Sequence, residues 1–233
     1  MTPAIALVPL EDGRWLDNPV IREGLLTATW ETLAMTGVAA LLTALVGIPV
    51  GVLLHQTSPG GISPSPAVHR AVGAVVNVGR SLPFLILMIS IIPLTRLLVG
   101  TTVGWQAACV PLTIGAIPFY ARLVETSLRE VSGGTVEAAT MMGATRWELT
   151  RKVLLAEARP GLVAGMTTTV IALIGYTAMA GAIGAGGLGA VAMTYGYNRF
   201  ESDVMIACVV LLLVLVQLVQ MLGDALARRV DHR

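Results

Sequence analysis

Long apolar runs recur along this chain, and they limit what it can fold into. In the clearest run, residues 204–222, Gln217 and Gln220 are the only amides and no residue is charged. A helix needs about 20 mostly apolar residues to cross a bilayer. Hydrophobic residues make up 55% of the chain and charged residues 12%, against about 25% charged residues in an ordinary soluble domain. The chain is therefore predicted to be an integral membrane protein.

Five apolar runs predict an all-α fold with five transmembrane helices. The predicted spans cover residues 32–54, 71–94, 104–123, 161–182 and 204–222. Pro83 is expected to kink the second span, because proline lacks the N–H that an internal helical turn needs. Residues 1–23 are predicted to form an external tail, 24–230 the transmembrane domain and 231–233 a cytoplasmic tail.

Basic residues are unevenly distributed among the connections between the spans. With five spans the termini lie on opposite sides, and the side richer in Lys and Arg is predicted to be the cytoplasm. If the polar stretch 131–157 is cytoplasmic, ten basic residues lie inside and four outside. The four outside are Arg14, Arg22, Arg96 and Arg199. The N-terminus is therefore predicted to be external and the C-terminus cytoplasmic.

The stretch 131–157 is polar and rich in helix-forming residues, unlike the apolar runs around it. Gly143 interrupts it, and a residue without a Cβ suits a sharp turn. Thr145-x-x-Glu148 matches a capping box, a pattern that starts a new helix. The stretch therefore predicts a helix, a bend and a second helix outside the hydrocarbon. On these properties alone it is either a docking surface for a partner protein or a solvated connector.

The bend lies in a motif that resembles the E-A-A-x-x-x-G signature of the transmembrane subunits of ATP-binding-cassette importers. The matching positions are Glu137, Ala138, Ala139 and Gly143, followed by Ala144, with Val153 and Leu155 where that family has Ile-x-Leu. Ala156 stands where the signature ends in proline. Further stretches are similar to the methionine-import permeases in particular: WETLAMT at 30–36, RSLPF at 80–84, VPLT at 110–113 and GAGGLG at 184–189.

The resemblance implies a fold, a set of partners and a substrate. The fold would be that of a type I importer transmembrane domain, and the motif residues would form the coupling helix that sits in a cleft of a partner ATPase. The family works in the bacterial inner membrane. The resemblance also implies that two copies of this chain form a homodimer, which binds two ATPase subunits and an extracytoplasmic methionine-binding protein. The transported solute would be methionine, in its L- and D-forms.

The sequence contains no phosphate-binding loop of its own. No G-x4-G-K-[ST] pattern is present, and the single lysine, Lys152, lies in no such setting. Gly184-x-Gly186-x-x-Gly189 formally matches a dinucleotide fingerprint, but it follows a membrane span and not a strand, so it predicts a bend. We therefore expect a transport subunit and not an enzyme, with no cofactor of its own, ATP and Mg bound by the partner ATPase, and no nucleic-acid partner.

Three alternative functions stay open at this stage. The chain could be an importer permease for another small solute, a channel or a secondary transporter. A channel needs a selectivity ring of charges or carbonyls. A proton-driven transporter is expected to carry carboxylates inside the membrane, and none lies within the five predicted spans.

Six residues are candidates for the pathway or its gate. Arg80 is the one charge well inside a predicted span, where it either faces a wet cavity or snorkels towards the inner surface. Pro83 would bend the same helix. The fourth span adds Met166, Thr168, Tyr176 and Met179. Its hydroxyls either face the pathway or bond across helices or to their own backbone. Its methionines either form a gate, contact an apolar substrate side chain or pack.

Overall fold

The computed structural model describes residues 18–231, and this part of the chain is helical with short turns. In chain order the helices are α1 (Val20–Thr57), α2 (Pro66–Ser81), α3 (Phe84–Ser90), α4 (Ile92–Val99), α5 (Trp105–Arg129), α6 (Gly133–Met141), α7 (146–157), α8 (Arg159–Gly181), α9 (187–197) and α10 (Ser202–Val230). Helices α1, α5, α8 and α10 are each long and apolar enough to cross a membrane. These four helices confirm the prediction of an all-α membrane protein.

The second predicted span is broken. Residues 71–94 were expected to form one kinked helix, but α2 ends at Ser81, α3 begins at Phe84 and the two axes differ by 104°. Leu82 between them is extended, with φ −78° and ψ 127°. The residue before a proline is pushed out of the helical region by the proline ring, so Pro83 breaks the span where a kink was predicted. The fold has five spans when this bent pair counts as one.

Other span boundaries also differ from the prediction, and α10 continues past residue 222 to Val230. Helix α1 starts at Val20, well before residue 32, so Trp30 and Glu31 lie inside the helix and not at its head. Most of the predicted tail 1–23 lies outside the described residues. Helix α5 continues to Arg129, past the predicted end at residue 123. These helices are longer than their uncharged runs, because a polar residue at the end of a span does not stop the backbone from continuing as a helix.

Helix α5 is the centre of the bundle and packs most extensively against α1. The contact depends on two glycines of α1, at which the helices approach closely. A Cβ at Gly51 would lie 2.5 Å from the Cβ of Val124, and one at Gly47 would lie 2.8 Å from the ring of Tyr120. Small residues four apart allow this approach between membrane helices.

Buried side chains form three clusters along the bundle. The first, in the middle, is built around Met35 and Leu112, and the second around Leu188 and Val204. The third contains Tyr120, Leu128 and Leu154, and it joins the helices to the segment 131–157. Because residues of the segment pack against this cluster, the segment is part of the packed core and not a loose connector. We call the end of the bundle that carries the segment the coupling end.

Candidate functional site

The segment 131–157 folds as two helices with a defined turn between them. Helix α6 ends at Met141, and the next residues close a Schellman motif. The N–H of Ala144 donates to the carbonyl of Ala139 at 3.1 Å, and the N–H of Gly143 donates to that of Thr140 at 3.0 Å. Both bonds satisfy carbonyls that the helix end leaves free. The predicted sequence of helix, bend and helix is confirmed.

Gly143 takes the conformation that the motif needs. Its φ is +84°, in the left-handed region that residues with a Cβ rarely adopt. Among residues 18–231, no heavy atom outside Gly143 and its two chain neighbours lies within 4 Å of the place where its Cβ would be. The requirement for glycine within this subunit is therefore conformational, and the space beside it is open to a partner.

Helix α7 begins with the predicted capping box. The Thr145 hydroxyl accepts from the Glu148 N–H, and the Glu148 carboxylate accepts from the Thr145 N–H at 3.1 Å. The Lys152 ammonium, which donates to Glu148 at 2.9 Å, is the main cause that lowers the pKa of this carboxyl to about 2, followed by the bonds from Thr145. The start of α7 is therefore fixed by charged hydrogen bonds one turn from the bend.

The outer surface of the segment carries apolar side chains that the subunit does not cover. Met141 is 90% exposed, Met142 82% and Trp147 69%. Glu137 and Ala138 of the motif are exposed beside them. Apolar groups in a segment outside the membrane mark a surface for protein contact. Met141, Met142 and Trp147, with Glu137 and Ala138, form what we call the knuckle surface.

The inner side of the segment is anchored to the helices. Ala139 is buried, and Val136 and Leu155 pack against the cluster around Leu154, which is 2% exposed. Val153 is half-buried and Ala144 partly covered. Two polar bonds add to this contact: the amide of Gln56 donates to the Thr150 hydroxyl at 2.6 Å, and the guanidinium of Arg146 donates to the Ser63 hydroxyl at 2.7 Å. A displacement of the knuckle surface would therefore be transmitted to α1 through the Gln56–Thr150 bond and to α5 through the cluster around Leu154.

The pathway candidates do not all come together. Arg80 and Tyr176 line one cavity of about 280 Å³, and Pro83 precedes the first residue of α3, Phe84, which also lines it. The Phe84 and Tyr176 rings are stacked, with centroids 4.6 Å apart. The cavity exists because the break between α2 and α3 leaves space against α5 and α8. Tyr176 is the one fourth-span candidate at this cavity.

The other fourth-span candidates lie elsewhere on α8. Met166 packs against the cluster around Leu154, and Met179 is 51% exposed, so the two methionines do not meet in one gate within the subunit. The Thr168 hydroxyl donates to the carbonyl of Ala164 at 3.1 Å. The hydroxyls of Thr167, Thr169 and Thr177 also donate to carbonyls of their own helix. These four hydroxyls therefore bond to their own helix, and Thr168 is exposed on the subunit.

Comparison with known proteins places the whole arrangement in one family. A family model described as "Binding-protein-dependent transport system inner membrane component" matches residues 47–232. The chain belongs to this family.

Two curated relatives of this inner-membrane component have closely similar sequences. The Probable D-methionine transport system permease protein MetI of Vibrio cholerae serotype O1 is 56% identical over 209 residues, covering 90% of this chain and 93% of the relative. The D-methionine transport system permease protein MetI of Escherichia coli strain K12 is 53% identical over 157 residues, covering 67% and 72%.

Solved structures share the fold. A chain from an inward-facing crystal form of the MetNI methionine ABC transporter superposes with a TM-score of 0.89 at 50% identity, covering 92% of this inner-membrane component and 99% of that chain. A chain of an amino acid ABC transporter solved with histidines gives 0.72 at 18% identity, with coverage of 88% and 93%, which shows the fold alone. The transmembrane domain therefore has the type I importer fold.

The structure of this inner-membrane component shows one buried carboxylate, that of Glu125, that was not predicted from the sequence. Glu125 is 1% exposed, and its two oxygens each bind an arginine, Arg122 and Arg129, at 2.5 Å. Arg122 also donates to the Asn77 side chain at 2.7 Å, which links α5 to α2. No carboxylate was expected in the span because its predicted end was residue 123. The detectable signal was the pair of arginines three residues before and four residues after Glu125, on the same helical face.

Proposed function

We propose that this chain is the permease subunit of an ATP-driven methionine importer. The knuckle surface is the observation that carries the proposal: a rigid, exposed, partly apolar helix–turn–helix anchored in the core at the coupling end. The names of the MetI relatives and of the MetNI structure support methionine as the solute, in its L- and D-forms. ATP and Mg are bound and ATP is hydrolysed by a separate subunit that holds the knuckle surface.

The coupling segment would transmit motion in two steps. Closure of the ATPase pair on ATP displaces α6 and α7 together, because the Schellman motif and the capping box fix the turn between them. The cluster around Leu154 and the Gln56–Thr150 bond pass the displacement to α5 and α1. The helices then shift between inward-facing and outward-facing packings, which is alternating access as a population shift.

The assembly we propose contains two copies of this chain, two ATPase subunits and an extracytoplasmic methionine-binding protein. The cavity beside Arg80 supports the second copy, because a charged residue on the outer surface of a single subunit would face lipid. The excess of basic residues at the coupling end supports its place in the cytoplasm, with an external N-terminus and a cytoplasmic C-terminus.

Uptake in cells tests both the substrate and the coupling role. Cells that lack their own methionine importer would receive this chain with its co-encoded partners, and we expect ATP-dependent accumulation of labelled methionine. Background uptake with the complex present in the membrane would discard methionine as the substrate. Accumulation of another small solute by the same cells would keep the importer class.

A matched pair of glycine variants tests the knuckle surface. Gly143→Ala puts a Cβ at φ +84°, whereas Gly133→Ala puts one in open space on the same segment at an ordinary backbone conformation. The left-handed conformation costs about 1–2 kcal/mol for a residue with a Cβ, so Gly143→Ala should lower uptake and ATPase stimulation several-fold and Gly133→Ala should not. Glu137→Lys should weaken binding of the ATPase subunit. Full activity in both Gly143→Ala and Glu137→Lys would refute the coupling assignment.

A further inference from the structure

The cavity beside Arg80 combines one charged side chain with aliphatic and aromatic side chains. It is formed where α2 breaks from α3, and its walls include Arg80, Phe84, Leu87, Gly115, Phe119 and Tyr176. The volume of about 280 Å³ lies near the lower end of small-molecule pockets. Gly115 keeps the cavity open, because a Cβ there would lie 3.3 Å from Leu87 and 3.4 Å from Phe84.

Arg80 is the single charge at this cavity. Its side chain makes no hydrogen bond or ion pair within residues 18–231, and none of the residues that line the cavity is acidic. A guanidinium is charged at every physiological pH, so the cavity holds a permanent cation without a counter-ion. Such a site favours an anion, and the planar fork of the guanidinium matches a carboxylate with two parallel hydrogen bonds.

Arg80 lies at the end of α2 that is far from the coupling end. Helix α2 has 16 residues and therefore spans about 24 Å, and Arg80 precedes its last residue. The first residues of α2 lie at the coupling end, since Ser65 bonds to Thr57 and Ser63 to Arg146. An arginine side chain is much shorter than this helix. Arg80 therefore stays at the depth of the cavity.

Apart from Arg80 and the Tyr176 hydroxyl, the side chains that line the cavity are aliphatic or aromatic. Phe84 is buried, and its stacking on Tyr176 fixes both rings at an interplanar angle of 8°. Aromatic rings make favourable contacts with a thioether sulfur and with unbranched alkyl chains. The cavity thus combines one cation with an apolar, aromatic slot, which suits a small amphiphilic anion.

We infer that this cavity binds the transported amino acid inside the membrane, with its carboxylate on Arg80 and its unbranched apolar side chain against the Phe84–Tyr176 stack. The inference rests on the proposed importer function. It assigns the site to the permease itself, so that the permease contributes to selection after the solute has left the binding protein. Arg80 is then a binding residue, and Pro83 positions it by breaking the span.

Direct binding to the permease–ATPase complex, without any binding protein, tests the site. The complex in lipid nanodiscs would be titrated with methionine, with norleucine, which replaces the thioether by a methylene, and with methionine amide, which has no carboxylate. We expect saturable binding of methionine and norleucine, and affinity for the amide that is about tenfold to hundredfold lower, the range for a lost charged hydrogen bond.

Variants separate a binding role from a structural one. Arg80→Gln should weaken methionine binding about tenfold or more and leave the amide unchanged, whereas Arg80→Lys should recover part of the affinity. Arg96→Gln, which removes an arginine of α4 that does not line the cavity, is the matched control and should bind like the parent complex. Gly115→Val should narrow the cavity and weaken every ligand. Unfolding temperatures of all variants would identify any that are misfolded.

The outcomes distinguish this inference from the proposed function. Absence of saturable methionine binding up to about 10 mM, or equal binding by the parent and Arg80→Gln, would overturn the membrane site while leaving methionine uptake by cells intact. Equal affinity for methionine and its amide would also overturn it. Failure of methionine uptake in cells would instead overturn the proposed substrate.

Discussion

The Glu31 carboxylate accepts a hydrogen bond from the backbone N–H of Gly187 at 2.7 Å, joining α1 to the glycine-rich turn before α9. The next N–H, of Leu188, donates to the Thr32 hydroxyl at 2.9 Å. These bonds satisfy donors at the start of α9, and they depend on positive φ values at Gly186 and Gly187. The match to a dinucleotide fingerprint at 184–189 is therefore a structural turn that packs on the first helix.

Removing the Glu31 acceptor should destabilise this turn. Glu31→Ala is expected to lower the free energy of unfolding by about 2 kcal/mol, the typical contribution of a hydrogen bond to a charged group. Glu31→Gln should lose less, because its amide oxygen still accepts. Thr32→Val should lose about 1 kcal/mol. Thr29→Val is the control, since the Thr29 hydroxyl bonds only to its own helix at Leu25. Denaturant unfolding in detergent measures all four, and equal stability of Glu31→Ala and the parent would refute the bond's role.

Alanine at Gly51 of α1 should destabilise the folded permease, whereas alanine at Gly37 of the same helix should not. A Cβ at Gly51 would lie 2.6 Å from the Ala121 carbonyl oxygen, whereas one at Gly37 meets nothing within 4 Å. Overpacking of this kind costs about 1–3 kcal/mol. We therefore expect Gly51→Ala to lower the unfolding temperature and the yield of folded permease. Gly37→Ala should match the parent. Comparable stability of the two variants would contradict the close packing of α1 on α5.

Glu125 should be among the most sensitive positions of the coupling end. Glu125→Gln removes the charge that Arg122 and Arg129 share. The two arginines are 25% and 55% exposed, so water solvates them in the variant, and the expected loss is about 1.5–3 kcal/mol, that of hydrogen bonds to a charged group. Glu130→Gln, an exposed acid in the turn after α5, is the matched control and should cost nothing measurable. Thermal unfolding of the two purified variants makes the comparison. A Glu125→Gln protein as stable as Glu130→Gln would show that the ion pairs contribute nothing.

The start of α7 should lose its charged cap only at low pH. Lys152 and Thr145 lower the pKa of Glu148 to about 2 from an ordinary value of 4.5. A lowered pKa in the folded state means that the contribution of the cap is complete above pH 4.5 and is lost as the pH falls towards 2. Carbon-13 NMR of the Glu148 carboxyl gives its titration directly. Lys152→Ala should raise this pKa, and Arg151→Ala, which removes a neighbouring charge that is not bonded to Glu148, should change it little.

The helix–turn–helix of the segment 131–157 was largely predicted from the sequence, because its signals are local. A glycine in the left-handed conformation after a short helix, and a Thr-x-x-Glu capping box two residues later, each act within a single turn of backbone. The resemblance at Glu137, Ala138 and Ala139 added the partner class. Which of these residues face outwards was not readable: Ala139 is buried while Ala138 beside it is exposed.

The pathway region was only partly predicted. Arg80, Pro83 and Tyr176 were identified as polar or helix-breaking residues in apolar runs, but Phe84 was not, since a phenylalanine in a membrane span carries no distinguishing signal. Its stacking on Tyr176 joins residues of α3 and α8. Met166 packs against the cluster around Leu154, and the exposed Thr168 bonds to its own helix, so their place in the pathway stays a prediction.

The sequence by itself determined the membrane class, the helical spans and the bend at Gly143, because burial of apolar runs and the geometry of single turns depend on neighbouring residues only. Only the tertiary structure decided that the second span breaks by 104°, that Glu125 is buried between two arginines and that Glu31 holds the turn at Gly187. The Glu31–Gly187 bond joins separate helices. The bend angle and the burial of Glu125 have local signals, Pro83 and two arginines of the same helix, but their extent depends on packing against the rest of the bundle. Their energies come from packing and paired hydrogen bonds across the bundle, which no local pattern contains.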